Sequence, residues 1–267
     1  MMVVAIIPAR YGSTRLPAKP LAEICGKPMI QWVYENSKKS KLCTRVFVAT
    51  DDERVQQAVL GFGGEVIMTS PEIQSGTDRM AAVASMLKAG TANLGKLDSE
   101  LKAASVFVNV QGDEPLITGQ AIDRAIEPIL EGKFKLSSLR VPLKNTEDLL
   151  NKNVVKVIVD DSNRALYFSR YPIPYSRVAP DQAEEPFLCS QHVGIYAYEL
   201  ETLLQVSSLP QTALERAESL EQLRAMKAGI PIGVFEVQFE SVGVDTQEDL
   251  DKVRAILKRK LEPYGKA

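Results

Sequence analysis

The amino-acid sequence predicts an α/β fold, a mostly parallel sheet with helices on both faces, on three observations. Apolar runs of strand length alternate with segments of helical period through the first half of the chain. Two of those runs deliver polar, glycine-containing loops, and from about Val154 the pattern changes to paired short strands. The 267 residues fit one large domain, residues 1–267, with smaller antiparallel elements at about 154–230.

Each element has its own signal. Residues 3–7 are an unbroken apolar run and read as a buried first strand. A helix opening at Pro28 places Met29, Trp32 and Val33 on one face, and residues 45–49 form the second strand. Asp52 caps a helix carrying Val55, Ala58, Val59 and Phe62 on one side; Gly63-Gly64 closes it, and a short strand follows at 65–68. After Ser75-Gly76 a helix aligns Met80, Val83, Ala84 and Leu87, residues 106–110 form a further apolar strand, and Ile122, Ala125, Ile126 and Ile129 mark the next helix. Residues 90–104 lack periodicity and read as a surface insertion. Residues 154–159 and Ala165–Ser169 flank Asp160-Asp161-Ser162-Asn163, which are turn residues at a hairpin tip. Residues 171–175 and 177–190 read as an irregular loop of a length usually kept for function. A strand at 192–198, one helix over about 212–227, a strand at 233–237 and a final helix from Thr246 complete the order.

Composition narrows the partner. Lys plus Arg total 32 against 34 Asp plus Glu, a net charge of −2 that gives no bulk attraction to nucleic acid or an anionic membrane. The expected ligand is small. Cys25, Cys43 and Cys189 are odd in number, scattered and without a C-x-x-C pair, which fits a reducing cytoplasm. The N-terminus lacks a basic stretch and a cleavage site, and no apolar run approaches the roughly 20 residues that span a bilayer.

Three segments carry candidate chemistry. The loop at 8–20 brings Arg10, Gly12, Ser13, Thr14, Arg15 and Lys19 to the carboxyl end of the first strand, where ligands of open α/β sheets bind. Converging cations and backbone N–H groups there can cradle a triphosphate; ordinary solvated charges are the alternative. The spacing is not G-x-G-x-x-G, which argues against a dinucleotide fold. In Asn109-Val110-Gln111-Gly112-Asp113-Glu114-Pro115, Asp113 ends an apolar strand and suits a Mg²⁺ ligand, or the segment is a tight turn. In Gly243-Val244-Asp245-Thr246-Gln247-Glu248-Asp249, Thr246 and Asp249 have capping spacing, which leaves Asp245 outside the helix as a second ligand unless it is itself the cap. Ser75-Gly76-Thr77-Asp78-Arg79 offers hydroxyls and N–H groups at a helix start, for an anion or for plain capping. His192 lies in a strand, Glu221-Gln222 inside an amphipathic helix, and Arg170 at the end of a strand, as either a carboxylate clamp or a surface ion-pair partner.

Together these motifs make the chain resemble the 3-deoxy-manno-octulosonate cytidylyltransferases. The resemblance runs through IIPARYGSTRLPAKPL (6–21), GKPMI (26–30), VATDDERV (48–55), SGTDR (75–79), NVQGDEP (109–115), ALYFSR with PIPY, HVGIYAY (192–198), LEQLR (220–224) and GVDTQEDL (243–250). It implies a Rossmann-like nucleotidyltransferase sheet, with the antiparallel elements serving sugar binding and dimerisation. The implied reaction is transfer from CTP to Kdo (3-deoxy-D-manno-octulosonate), giving CMP-Kdo and pyrophosphate for lipopolysaccharide biosynthesis. Arg10, Ser13, Arg15 and Lys19 would hold the CTP phosphates, with Ala9, Ser75 and Gly76 near the cytosine and ribose. Asp113 and Asp245 would bind Mg²⁺, and Arg10, Lys19 and that metal would supply the charge for catalysis. Gln111, Arg170, His192, Tyr196, Glu221 and Gln222 would line the sugar-acid pocket, and residues after about 210 would help form a homodimer. Gln191 stands where the family often has a basic residue, and Ala197 is a second departure, so an 8-amino Kdo analogue or another sugar acid stays open as acceptor. A non-catalytic nucleotide-binding module is the reading of a different class.

Overall fold

The computed structural model describes residues 1–12, 16–73, 75–175, 177 and 187–262. The chain forms two compact units, Met1–Asp123 with Glu240–Ala267, and Arg124–Phe239.

In the first unit, β1 (Met2–Pro8) pairs in parallel with β4 (Arg45–Thr50) and with β6 (Ala104–Asn109), and β4 pairs in parallel with β5 (Val66–Met68). The side chains of residues 3–7 are buried throughout, as strands covered on both faces require. The expected helices form between these strands. Helix α1 (Met29–Ser37) starts after Pro28, α2 (Glu53–Gly61) is capped by Asp52 accepting from Arg54 N, and α3 (Gly76–Ala89) is capped by Ser75 accepting from Asp78 N. Met80, Val83, Ala84 and Leu87 are all buried, as their spacing predicts. The segment expected to be a surface insertion contains a short helix, α4 (Leu97–Leu101), that buries Leu101. Helix α5 (Gly119–Leu130) carries the chain into the second unit.

A small hairpin of β2 (Glu23–Ile24) and β3 (Lys27–Pro28), which the periodicity does not reveal, matters for the C-terminal end. Helix α10 (Gln247–Leu261) opens on a Thr246/Asp249 capping box and packs Leu250, Val253, Ile256 and Leu257 against Ile24, Met29, Trp32 and Leu116. Burial of each such side chain stabilises by about 1.5–3 kcal/mol. Arg254 reinforces the contact by donating to Glu23 O at 2.8 and 2.9 Å. The last helix is thereby fastened beside the loop that follows β1.

In the second unit, β7 (Leu136–Pro142) pairs in parallel with β11 (Gly233–Glu236) and antiparallel with β10 (Ser190–Glu199). The expected hairpin is β8 (Lys156–Val159) against β9 (Ala165–Ser169), and β8 also pairs with the start of β10. The antiparallel part thus begins at β7, earlier than the change of rhythm at about 154. Strand β7 escapes a reading by periodicity because Ser137 and Ser138 interrupt its apolar run. Both are buried and bonded: Ser137 to Ala125 O, and Ser138 to Val193 O and Ile195 O at 3.1 and 2.8 Å, across an irregularity in β10. Helices α6 (Thr146–Leu150) and α7 (Leu200–Ser208) likewise carry too short a pattern to be anticipated.

One expected helix is corrected. Residues 212–227 form two helices, α8 (Ala213–Glu218) and α9 (Gln222–Lys227), because Ser219 takes a left-handed backbone (φ 51°) that ends the first. The buried Glu215 of α8 accepts from Arg224 of α9 and holds the two together. Glu221 and Gln222 consequently stand at a helix start rather than inside a helix.

Candidate active site

The site in the first unit grows from the carboxyl ends of β1 and β6. Ala9 is buried, and its N–H donates to Ala49 O at 2.9 Å, so the chain leaves β1 in a fixed direction. Arg10 is exposed in the loop that follows, and the Arg54 guanidinium stacks 3.4 Å from the Tyr11 ring centroid. Ser13 and Arg15 lie outside the described residues. The chain then turns through Ala18 (φ 54°) into a single 3₁₀ turn, Lys19–Leu21, anchored by the buried Pro20.

Lys19 is the meeting point. Its Nζ lies 2.6 Å from Asp113 Oδ2 and 3.0 Å from Asp245 Oδ1, contacts across 94 and 226 positions of sequence. Three independent pieces of backbone create this. Val110 N bonds Ile6 O, which extends the β6 path, and Gly112 then passes so close to β1 that an added Cβ would lie 2.6 Å from Pro8 O. Val244 N donates to Asp113 O at 2.9 Å, and the α10 cap fixes Asp245 just ahead of the helix. Thr246 is the cap, as the capping spacing predicts, and Asp245 stands just outside the helix. Burial acts against the Lys19 charge, but the two carboxylates outweigh it and raise its pKa above the ordinary value.

A third acid, Glu114, stands beside the pair without having been singled out in sequence. Burial, with the neighbouring Asp113 charge adding to it, pushes its carboxyl up to about 8, while Ser241 Oγ lies 3.3 Å from both of its oxygens. The signal was present in the Asp113-Glu114 pair. Two carboxylates that converge on one cation fit a hard divalent ion, which takes oxygen ligands. Among the described residues no cluster of three or more His, Cys, Asp or Glu could hold a metal by itself, so phosphate oxygens and water would complete the shell.

At the start of α3, Ser75 is committed to capping, and Gly76 lies against Pro8 and Asn109, whose atoms would be 3.6–3.8 Å from an added Cβ. The buried Arg79 of this helix pairs with Asp51 at 2.8 Å and donates to Ile73 O at 3.1 Å. Gln111 is half-buried, and its carbonyl accepts from Glu114 N.

In the second unit, His192 and Tyr196 share β10. His192 packs edge-on to Phe168 at 4.9 Å and against Tyr196 at 5.5 Å. Ser138 Oγ lies 2.8 Å from His192 Nε2 and 2.8 Å from Ile195 O. Burial lowers the His192 pKa to about 3 and raises that of Tyr196, so both are neutral at pH 7. Ser138 is the supporting residue that sequence reading missed. Gln222 is buried, and its Nε2 has no hydrogen-bond partner among the described residues. Glu221 occupies the cap position of α9. Arg170 donates to the carbonyls of Glu218, Lys152 and Ser219 at 2.7, 3.1 and 3.3 Å, and braces the end of β9 against the end of α8.

Comparison with known proteins decides the family. The cytidylyltransferase family profile matches residues 4–234. The chain belongs to the cytidylyltransferase family. Among its curated relatives are the 3-deoxy-manno-octulosonate cytidylyltransferases of Trichlorobacter lovleyi and Geobacter sulfurreducens, each 47% identical over 97% of this chain and 100% of the relative. A solved CMP:2-keto-3-deoxy-manno-octonic acid synthetase complexed with CTP superposes with a TM-score of 0.86 at 42% identity, covering 98% of this chain and all of the other. A 4-diphosphocytidyl-2C-methyl-D-erythritol synthase from Anaerococcus prevotii shares the fold, with a TM-score of 0.61 at 14% identity over 97% of this chain and 96% of that one. Among the described residues of this cytidylyltransferase, no helix is long and apolar enough to cross a membrane.

Proposed function

We infer that this chain transfers the cytidylyl group of CTP to Kdo, forming CMP-Kdo and pyrophosphate for lipopolysaccharide biosynthesis. The observation that carries the inference is the convergence of Lys19, Asp113 and Asp245 at the ends of β1 and β6, in a fold shared at 42% identity with a synthetase solved with CTP.

In the reaction the anomeric hydroxyl oxygen of the sugar acid bonds to the α-phosphorus, the bond from that phosphorus to the bridging oxygen breaks, and the hydroxyl proton passes to solvent. The protein's contribution is alignment and positive charge rather than covalent chemistry. Arg10, Ser13, Arg15 and Lys19 take the triphosphate, with Ala9, Ser75 and Gly76 toward the nucleoside. Asp113 and Asp245 are the Mg²⁺ ligands of this reading; the metal, when bound, supplies charge at the phosphates and lowers the hydroxyl pKa. Gln111, His192, Tyr196, Glu221 and Gln222 serve the sugar acid, and the unpartnered amide of Gln222 supports that role because a buried donor calls for an acceptor. His192 is neutral, so its ring serves the site by hydrogen bonding rather than by positive charge. Arg170 belongs with them, because its guanidinium keeps N–H groups beyond the three that bond backbone carbonyls. A homodimer formed by residues after about 210 and a cytoplasmic location complete the reading, the latter supported by three free thiols.

The test is pyrophosphate release from CTP and Mg²⁺ with Kdo or its 8-amino analogue. Release with Kdo confirms the reading, faster release with the analogue reassigns the acceptor, and CTP binding without release with either sugar refutes it.

A further inference from the structure

Lys19 holds the same carboxylates that the proposed metal would need. Its ammonium is at hydrogen-bonding distance from both Asp113 and Asp245, and its side chain is only 17% exposed. The backbone beneath it is fixed by the 3₁₀ turn and Pro20, whereas the four-carbon stem above can rotate. A divalent ion shared by the two aspartates cannot sit beside an ammonium bonded to the same groups without strong like-charge repulsion. The two cations compete for these carboxylates, and a triphosphate gives the ammonium a new anionic partner.

We propose that Lys19 is a built-in stand-in cation, which makes metal binding by Asp113 and Asp245 conditional on the nucleotide's triphosphate. This rests on the reading of the two aspartates as metal ligands. With the ammonium in place half of the pair's negative charge is cancelled, which lowers its affinity for a divalent ion. Once the triphosphate draws Lys19 away, the two carboxylates are released and phosphate oxygens join them. Nucleotide and metal then strengthen each other's binding by the same factor, as linkage requires. The role differs from simple phosphate attraction, because it predicts that removing a positive charge improves metal binding in the absence of nucleotide.

The experiment is Mn²⁺ titration of the full-length protein without nucleotide, with free Mn²⁺ read by electron paramagnetic resonance. Lys19→Gln should bind at least about tenfold more tightly than the wild type, within the usual range of coupling between sites. Lys19→Arg should stay as weak as the wild type, and Lys19→Gln combined with Asp113→Asn should lose the gain. Equal affinity of Lys19→Gln and the wild type, or a gain in Lys19→Arg as large as in Lys19→Gln, overturns the proposal. A second measurement needs no variant: water-proton relaxation enhancement by wild-type-bound Mn²⁺ should appear only after CTP is added, and full enhancement without nucleotide overturns the proposal. Failure of every form to bind Mn²⁺, with or without CTP, overturns the aspartate-ligand reading and this proposal with it.

Discussion

Replacing Asp113 or Asp245 by asparagine separates catalysis from stability. Both carboxylates bond Lys19, but they are 30% and 46% exposed, and the lysine keeps its second partner when one is removed. Ion pairs this accessible to water contribute about 0.2–1 kcal/mol each. For a chain of this size 1 kcal/mol moves the melting temperature by about 2–4 °C, so neither variant should melt more than a few degrees below the wild type. The amide preserves side-chain size and leaves the Val244–Asp113 backbone bond and the Thr246 cap untouched. Loss of one carboxylate from a site that positions charge at the reacting phosphate should nevertheless lower turnover by at least about 100-fold, or about 2.7 kcal/mol of barrier. Pyrophosphate release under saturating CTP, sugar acid and Mg²⁺, run beside thermal unfolding, reads both quantities. Near-normal turnover in either variant would refute the argument, and so would destabilisation beyond about 3 kcal/mol, which would make the aspartates structural.

Two further outcomes follow from single contacts. Gly112→Ala places a Cβ 2.6 Å from the Pro8 carbonyl oxygen, and because that neighbour is backbone the loop must shift; destabilisation of about 1–3 kcal/mol is expected on melting, with lost pyrophosphate release because Asp113 moves with it. His192, the chain's single histidine, keeps a pKa of about 3 when folded against 6.5 when unfolded. The unfolded chain therefore binds the extra proton as pH falls through 6.5, and the folded state should lose about 2 kcal/mol between pH 7 and pH 5 through this residue. His192→Gln should remove that part of the difference in urea-unfolding free energies at the two pH values; an unchanged difference would show that the ring titrates normally.

Local patterns determined a large part of this molecule. The buried strands β1, β4 and β6, the caps at Asp52, Ser75 and Thr246, and the hairpin at Asp160–Asn163 follow from apolar runs and from short side chains that satisfy nearby N–H groups. The loops that end β1 and β6 are legible for the same reason, since polar residues that directly follow a buried strand have one edge of the sheet to occupy. Where a residue's conformation depended on distant partners, these patterns were silent. Serines hide inside β7 because their hydroxyls bond carbonyls of β10 and α5, and α8 stops at Ser219 although no glycine or proline marks the place. The carbonyls of Lys152, Glu218 and Ser219 that Arg170 bonds are equally absent from its local pattern. The decisive case is Lys19. Its charge and those of Asp113 and Asp245 are plain in the chain, but only the packing of α10 on the N-terminal hairpin and the passage of Gly112 beside Pro8 bring them to one point. A side chain's type is local, whereas its partners are chosen by the burial of apolar faces far away in sequence.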